Sequence, residues 1–512
     1  MSAFSAEDLR LIAETNVAAS PADTAGDKAK LAELADKIRS RTSRGPYSGV
    51  VISGVVRIIE MTLLFAVSMG IYYVYIGPTE DAIRYVSATA LIVVLTTSVF
   101  QSMRVYSIPA LRSPLSQGLR VAGSWAFVFL IVMGLNFLFR LDGLFSRVWL
   151  VSLFFGGLIV FAITRGAALY LVRRLTRAGM IERRAVIVGG GKSGEQFLRE
   201  VMRQPESDLR IYGVFDDRED ERSPEVLAGF PKLGNVDDLV EFARSVRLDL
   251  IIFTLPISAE TRILQMLRKL WVLPVDIRLA SHTNQLRFRP RAYSYVGGVP
   301  VIDVFDKPLA DWGVIVKMIF DRVVGALALI ALSPIFLITA IAIKLDSKGP
   351  VFFKQRRYGF NNELVEVYKF RSMYVDTLDH SASKLVTKGD PRVTRVGRFI
   401  RKTSIDELPQ LINVVFKGDL SLVGPRPHAL HAKADNRQYE EVVDGYFARH
   451  KMRPGITGWA QVNGWRGETD TQEKIQRRVE FDLYYIENWS IIFDIYILAI
   501  TPLALTKSEN AY

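Results

Sequence analysis

Four apolar stretches, roughly 51–76, 83–103, 119–139 and 148–172, constrain the fold of this chain more than any other feature. Each is close to the ~20 residues that a helix needs to cross the hydrocarbon core of a bilayer. Backbone polar groups in that medium must be satisfied internally, so such a stretch becomes a helix. Basic flanks set its orientation. Lys37, Arg39, Arg41 and Arg44 precede the first run, and Arg104, Arg112 and Arg120 lie between the second and third. Arg173, Arg174, Arg177, Arg183 and Arg184 follow the fourth. The pattern predicts a four-helix transmembrane bundle over 46–180 with both ends in the cytoplasm, after a mobile, polar cytosolic tail over 1–45. Arg57 and Glu60 lie inside the first run, and no matching internal charge is evident in the other runs. These two residues either sit at the interface or pair within the bundle.

A fifth apolar run, 323–343, is also long enough to span. Spanning would carry everything after it across the membrane. Its flanks are basic on both sides, with Lys317 and Arg322 before it and Lys344, Lys348, Lys354, Arg356 and Arg357 after it. Both ends are therefore expected in the cytoplasm. Ser333–Pro334 sits at its middle, where proline removes a helical hydrogen bond and the serine hydroxyl can satisfy a freed carbonyl. The expectation is a re-entrant helix, broken at Ser333 and Pro334, that enters and leaves on one face. The last apolar segment, 488–505, suits an interfacial helix.

Between the bundle and this run the pattern changes. Residues 184–202 read as an apolar strand, a Gly-rich turn and a helix, with Gly189, Gly191 and Gly194 spaced as G-x-G-x-x-G. Such a turn lets backbone N–H groups approach a pyrophosphate. Further strands are expected at 211–217, 248–256 and 273–280, the first ending at Asp216, a candidate ribose ligand. This is a Rossmann-like α/β domain over 181–303, whose turn either binds a nucleotide or is a structural or regulatory relic.

The net charge of +12 is clustered beside apolar runs, and no nucleic-acid motif accompanies it, which favours membrane lipid over nucleic acid as the partner. With no cysteine in the chain, disulfides and thiolate metal sites are excluded. No tyrosine has a lysine four residues later, which removes the proton-moving pair of a Rossmann-type dehydratase or epimerase.

The chemistry concentrates in Gly389 to Pro427. Asp406 and Glu407 stand side by side in a field of Arg392, Arg395, Arg398, Arg401, Lys402, Lys417 and Arg426. Ser404 fits an N-cap, with Glu407 closing a capping box. That places the dyad in the first turn of a helix, which favours anions. Adjacent helical positions diverge by roughly 100°, which lets one carboxylate serve as a nucleophile and the other as a metal ligand. A capping box with surface ion pairs is the alternative reading. His428 and His431, three apart, have no third imidazole or thiolate near them in sequence.

The segments GPVFFKQRRYG (349–359), YKFRSM (368–373), TSIDELPQLINV (403–414), GDLSLVGPRP (418–427), RPGITGWAQVNG (453–464) and FDLYYIENWS (481–490) together resemble the bacterial sugar transferase family, the monotopic phosphoglycosyl transferases. The resemblance implies a membrane protein of α and α/β class, with a mainly α catalytic domain over 304–512 containing the re-entrant helix 323–343. It implies transfer of a hexose-1-phosphate from a UDP-sugar to undecaprenyl phosphate, with release of UMP, as the first membrane step of exopolysaccharide or capsule synthesis. Glucose is the favoured sugar and galactose the alternative, and a non-enzymatic scaffold is the rival reading. Asp406 becomes the nucleophile and Glu407 the Mg²⁺ ligand. Arg401 and Arg426 become phosphate contacts, with Pro425 and Pro427 fixing the backbone around Arg426. Lys369 and Arg371 are further phosphate candidates. Arg453 and Thr457 belong to a loop expected over the nucleotide. The resemblance also implies the inner membrane of a bacterium, with the catalytic domain on its cytoplasmic face, and is compatible with a homodimer.

Overall fold

The computed structural model describes residues 48–507 apart from short stretches, the longest being 107–113, 281–293 and 376–389; before 48 it describes only a few residues between 31 and 38. Apart from those few residues, which are helical, the tail expected over 1–45 lies outside the described residues, as do Lys37, Arg39, Arg41, Arg44, Arg104, Arg112 and His431.

The chain divides into two compact units. The first holds α1 (Gly49–Ile71), α2 (Ala82–Ser102), α3 (Pro114–Leu138) and α4 (Arg147–Arg177). All four helices are long and apolar enough to cross a membrane, and α1 continues through a wide turn to Ile76. Their shared core is aromatic, with Tyr72, Tyr85, Phe100, Trp125, Trp149 and Phe161 buried together. Leu91, Val94, Phe137 and Ile163 remain exposed on the outside, as apolar solvent requires.

Of the two alternatives for the first-run charges, pairing within the bundle holds for Glu60. Glu60 is fully buried and pairs with Arg165 of α4 at 2.8 Å. Tyr106 Oη and Thr164 Oγ1 also donate to it, each at 2.9 Å. Arg57 instead donates to Gln101. The matching internal charge therefore exists in the fourth run, 105 residues away in sequence. A buried carboxylate in apolar surroundings needs such partners.

The second unit begins with β1 (Arg183–Val188), whose first residue clusters with the bundle, followed by α5 (Lys192–Met202) and β2 (Leu209–Phe215). Next come β3 (Val226–Leu227), β4 (Phe230–Gly234), α6 (Val236–Ser245), β5 (Leu250–Phe253), α7 (Glu260–Leu270) and β6 (Asp276–Ala280). The hairpin β7 (Ser294–Val296) and β8 (Val299–Phe305) completes an eight-stranded sheet, ordered β3-β4-β2-β1-β5-β6-β8-β7. The central pairs β1–β5 and β5–β6 are parallel and β8 runs antiparallel to β6. The central strands read as continuous apolar runs because both faces are covered.

The C-terminal segment follows. Helix α8 (Asp311–Ala331) and helix α9 (Ser333–Asp346) meet at a 60° bend. Ser333 Oγ donates to the carbonyl of Ile330 at 2.7 Å. Pro334 lies in the first turn of α9, where a missing N–H breaks no helical bond. Lys317, read from sequence as a flanking charge, is buried on α8. It binds Asp494 at 2.8 Å and Asp321 at 3.2 Å and donates to the carbonyl of Val423. That triad joins α8 to the C-terminal helix. The hairpin β9 (Phe352–Tyr358) and β10 (Leu364–Phe370) follows, then α10 (Arg395–Lys402). Two short strands, β11 (Ser421–Val423) and β12 (Gly455–Thr457), pair in parallel, and helices α11 (Gln472–Glu487) and α12 (Ile491–Lys507) close the chain.

Candidate active site

Helix α10 starts on Thr394, whose hydroxyl accepts the Gly397 N–H at 2.9 Å, and carries Arg401 and Lys402 in its last turn. The chain then turns sharply at Ser404, which adopts the left-handed conformation with φ of 58°. Expected as an N-cap, Ser404 makes no side-chain capping bond there; the link is the Glu407 N–H donating to the Ser404 carbonyl. The capping box does not form, because a left-handed residue turns the chain into a three-residue 3₁₀ turn, Ile405–Glu407, rather than into an α-helix. Ile405 and Leu408 pack against Ile343, Phe370 and Ile400. The apolar ends of this turn are thus anchored, and the two carboxylates between them are presented.

Their surroundings differ. Glu407 receives Lys369 Nζ at 3.0 Å and both guanidinium nitrogens of Arg426, at 2.6 and 3.2 Å. These cations hold its carboxyl well below the usual range despite burial. Asp406 has no hydrogen-bond or ion-pair partner among the described residues. Burial pushes it up to about 6, opposed by Lys369, assisted by the negative charge of Glu407, and opposed again by Arg401 and Arg426. A paired carboxylate beside an unpaired one of higher energy is the pattern that assigns two roles to two acids.

Each partner is held from behind. Lys369 lies on β10, which Asn413 stitches to the dyad segment: its Oδ1 accepts the Tyr368 N–H at 2.9 Å and its Nδ2 donates to the Glu366 carbonyl at 2.7 Å. Arg426 follows β11, where Gly424 and Gly455 touch backbone to backbone; a Cβ on Gly455 would lie 2.1 Å from Gly424 N. Pro425 accepts the Gly455 N–H at 3.0 Å and Pro427 accepts from Arg357 at 3.3 Å, so the segment around Arg426 is tied down on both sides. The fully buried Arg449 donates to the Arg426 carbonyl and to Asp482, each at 2.6 Å. His428 Nδ1 lies 2.8 Å from Tyr446 Oη and 2.5 Å from Arg449 Nη1. Burial and three neighbouring guanidinium groups, of Arg449, Arg478 and Arg357, push His428 far below its ordinary value, so it stands as a neutral imidazole among them. With Arg357, Arg426, Arg449 and Arg478 set against Asp482 and Glu407, the wall beside the dyad carries excess positive charge and suits an anionic substrate.

Three expected contacts fall elsewhere. Arg371 is buried and donates to the carbonyls of Lys348 and Ser347, where it caps the chain after α9. Thr457 sits in the buried strand β12 and bonds Thr501, so the segment at 453–458 is core and not a loop over a nucleotide. Arg453 has Arg247, Asp321, Arg322 and Asp419 as its charged neighbours, and not the dyad. Sequence reading missed Asn413, Arg449, Arg478 and Asp482; the one available signal was the density of arginine in segments otherwise built for burial.

In the Rossmann-like sheet, Asp216 accepts the Gly190 N–H at 2.6 Å and Arg218 at 2.8 Å. Its carboxylate is occupied by its own loop. Gly194 serves packing, since a Cβ there would lie 2.3 Å from the Gly189 carbonyl oxygen.

Residues 312–508 match the family described as Bacterial sugar transferase, and residues 101–281 match one described as CoA-binding domain. A UDP-glucose:undecaprenyl-phosphate glucose-1-phosphate transferase of Klebsiella pneumoniae is 37% identical over 396 residues, which is 76% of this chain and 82% of the relative. A protein of the same name from Xanthomonas campestris pv. campestris is 31% identical over 460 residues, covering 90% of this chain and 94% of the relative. This chain belongs to the bacterial sugar transferase family. The Exopolysaccharide production protein PSS of Rhizobium leguminosarum bv. phaseoli is 49% identical over 197 residues, 38% of this chain and 98% of its own length. The family's enzymes are transferases, and the dyad described above lies inside the matched segment.

Proposed function

We propose that this chain transfers glucose-1-phosphate from UDP-glucose to undecaprenyl phosphate in two steps on Asp406. The observation that carries this reading is the asymmetry of the dyad: Glu407 is paired with Lys369 and Arg426, while Asp406 is unpaired among the described residues and partly exposed. In the first step an Asp406 carboxylate oxygen attacks the β-phosphorus. The bond from that phosphorus to the oxygen bridging to the α-phosphate breaks, and UMP leaves with the electron pair. In the second step a phosphate oxygen of the polyprenyl acceptor attacks the same phosphorus and the aspartate leaves as carboxylate. Splitting one displacement into two lowers each barrier. Arg426 and Arg401 neutralise the diphosphate so that an anionic nucleophile can approach. Glucose is supported by the names of the two long relatives.

Among the described residues no group of three or more metal-ligating side chains exists. One carboxylate, Glu407, next to a diphosphate site nevertheless fits Mg²⁺, which takes one or two carboxylates and completes its shell with phosphate oxygens and water. Bound there, the ion supplies charge neutralisation on the transferring phosphoryl group. Lys369 and Arg426 would then turn from Glu407 toward the phosphates. The bend between α8 and α9 supports a re-entrant hairpin that keeps the dyad at the cytoplasmic headgroup level, where a soluble donor meets a lipid phosphate. The test is UMP release by the purified chain across UDP-glucose, UDP-galactose and their N-acetyl analogues, with undecaprenyl phosphate present. Release with UDP-glucose foremost is expected; no release with any donor would leave the scaffold reading.

A further inference from the structure

The segment Tyr446–Lys451 is a 3₁₀ helix, in which residues three apart share a face. Tyr446 and Arg449 form the face that points to the dyad's support, through His428, Asp482 and the Arg426 carbonyl. The other faces meet the Rossmann-like sheet domain. Arg244, at the end of α6, stacks 4.4 Å over the ring of Phe447. Trp271, just past α7, takes Lys451 Nζ at 5.1 Å over its ring. The same indole packs on Gly445 so closely that a Cβ there would lie 2.1 Å from Trp271 Cζ2. Beside this segment the hairpin tip after β9 reaches the same place. Asn361 is buried and donates to the Ala243 carbonyl at 2.9 Å, Arg247 lies over Phe360, and Asn362 is hydrogen-bonded to His450.

All of these sheet-domain contacts come from the ends of α6 and α7, which feed β5 and β6. They lie at the edge where the parallel strands begin. The Gly-rich turn and Asp216 lie at the opposite edge, where the strands end and nucleotides bind in such folds. That turn is already filled by Asp216.

We propose that the sheet domain acts in turnover as a clamp on Gly445–Lys451, positioning Arg426 through Arg449. Trp271 and Arg244 are thus positioning residues: they touch no substrate and fix the turn from which Arg449 holds the Arg426 backbone. The inference rests on Arg426 serving the transfer proposed above. A small displacement of a charge-stabilising group lowers the chemical step more than it lowers binding.

The experiment uses the full chain in detergent with UDP-glucose and undecaprenyl phosphate. Trp271→Ala and Arg244→Ala are each expected to lower kcat about 10-fold with KM for UDP-glucose within about twofold, the pattern of a lost transition-state interaction. Trp271→Phe, which keeps an aromatic face for Lys451, restores most of the rate. Arg449→Lys shows the same kcat defect, and adding Trp271→Ala to it costs nothing further, because both act on one element. An unchanged kcat in both Trp271→Ala and Arg244→Ala overturns the proposal. So does a loss that adds in full to that of Arg449→Lys, or one that resides in KM. If Trp271→Ala does not fold, Arg244→Ala decides by the same criteria. Turnover surviving in Asp406→Asn would instead refute the catalytic reading and leave the clamp to be judged on the double-mutant result alone.

Discussion

Replacing Asp406 by Asn should kill the enzyme and stabilise its fold. The carboxyl of Asp406 is pushed from 3.8 to about 6 by burial beside Glu407, and it gains no hydrogen bond in return. A rise of that size makes its ionised form about 3 kcal/mol worse in the folded chain than in the unfolded one. Partial exposure and screening reduce this to roughly 1–2 kcal/mol. The sign follows from the direction of the shift. The folded state holds the proton more tightly, so the parent loses stability as pH rises from about 4 to about 6 and is level above that. The amide carries no such charge. Asp406→Asn should therefore match the parent near pH 4 and exceed it at pH 8, with a rise of roughly 5 °C in the catalytic segment's unfolding transition. Thermal unfolding in detergent at both pH values checks this. A variant that is less stable at pH 8, or equally stabilised at both, would show that Asp406 makes favourable contacts and is not the strained member of the pair.

Glu407→Gln should behave in the opposite way. It strips a carboxylate from two close cations, so the variant loses roughly 2 kcal/mol of stability, together with metal dependence and about a hundredfold or more of the rate; thermal unfolding and a magnesium titration of UMP release measure both. In the parent, kcat/KM should climb as pH rises through about 6, where Asp406 ionises, and a rate profile from pH 5 to 8 would expose a flat response if another group attacks. For topology, single cysteines at the exposed positions Ala310 and Lys348 should both label from the cytoplasmic side only, which the cysteine-free parent makes clean. Labelling of position 348 from outside intact cells would show that α8 and α9 cross the membrane.

What the sequence made legible was governed by local rules. Apolar run length predicted the four spanning helices, and a Ser-Pro step inside a fifth run predicted the break at Ser333. The dyad was readable because Arg401 and Arg426 lie in the same short stretch, while its other cation, Lys369, comes from β10. Charges whose partners are distant in sequence were misread. Lys317 looked like a membrane flank, yet its partner Asp494 lies 177 residues away. For Glu60 no matching charge was evident in the other runs, because its partner Arg165 stands 105 residues off. Arg371 and Thr457 sit in segments that resemble the family's, and their side chains are spent on the fold. Ser404 failed as a cap because capping chemistry needs an extended residue before the helix, and its left-handed backbone is a property that only the folded turn imposes.

In the proposed two-step transfer, Asp406 itself carries the sugar phosphate. Incubating the full chain with UDP-glucose and no lipid acceptor, followed by mass spectrometry of the proteolysed protein, addresses it directly. One hexose-phosphate adduct is expected on the peptide containing Asp406, formed with stoichiometric UMP and discharged when undecaprenyl phosphate is added. An adduct that persists in Asp406→Asn, or turnover with no adduct at any time, would contradict it.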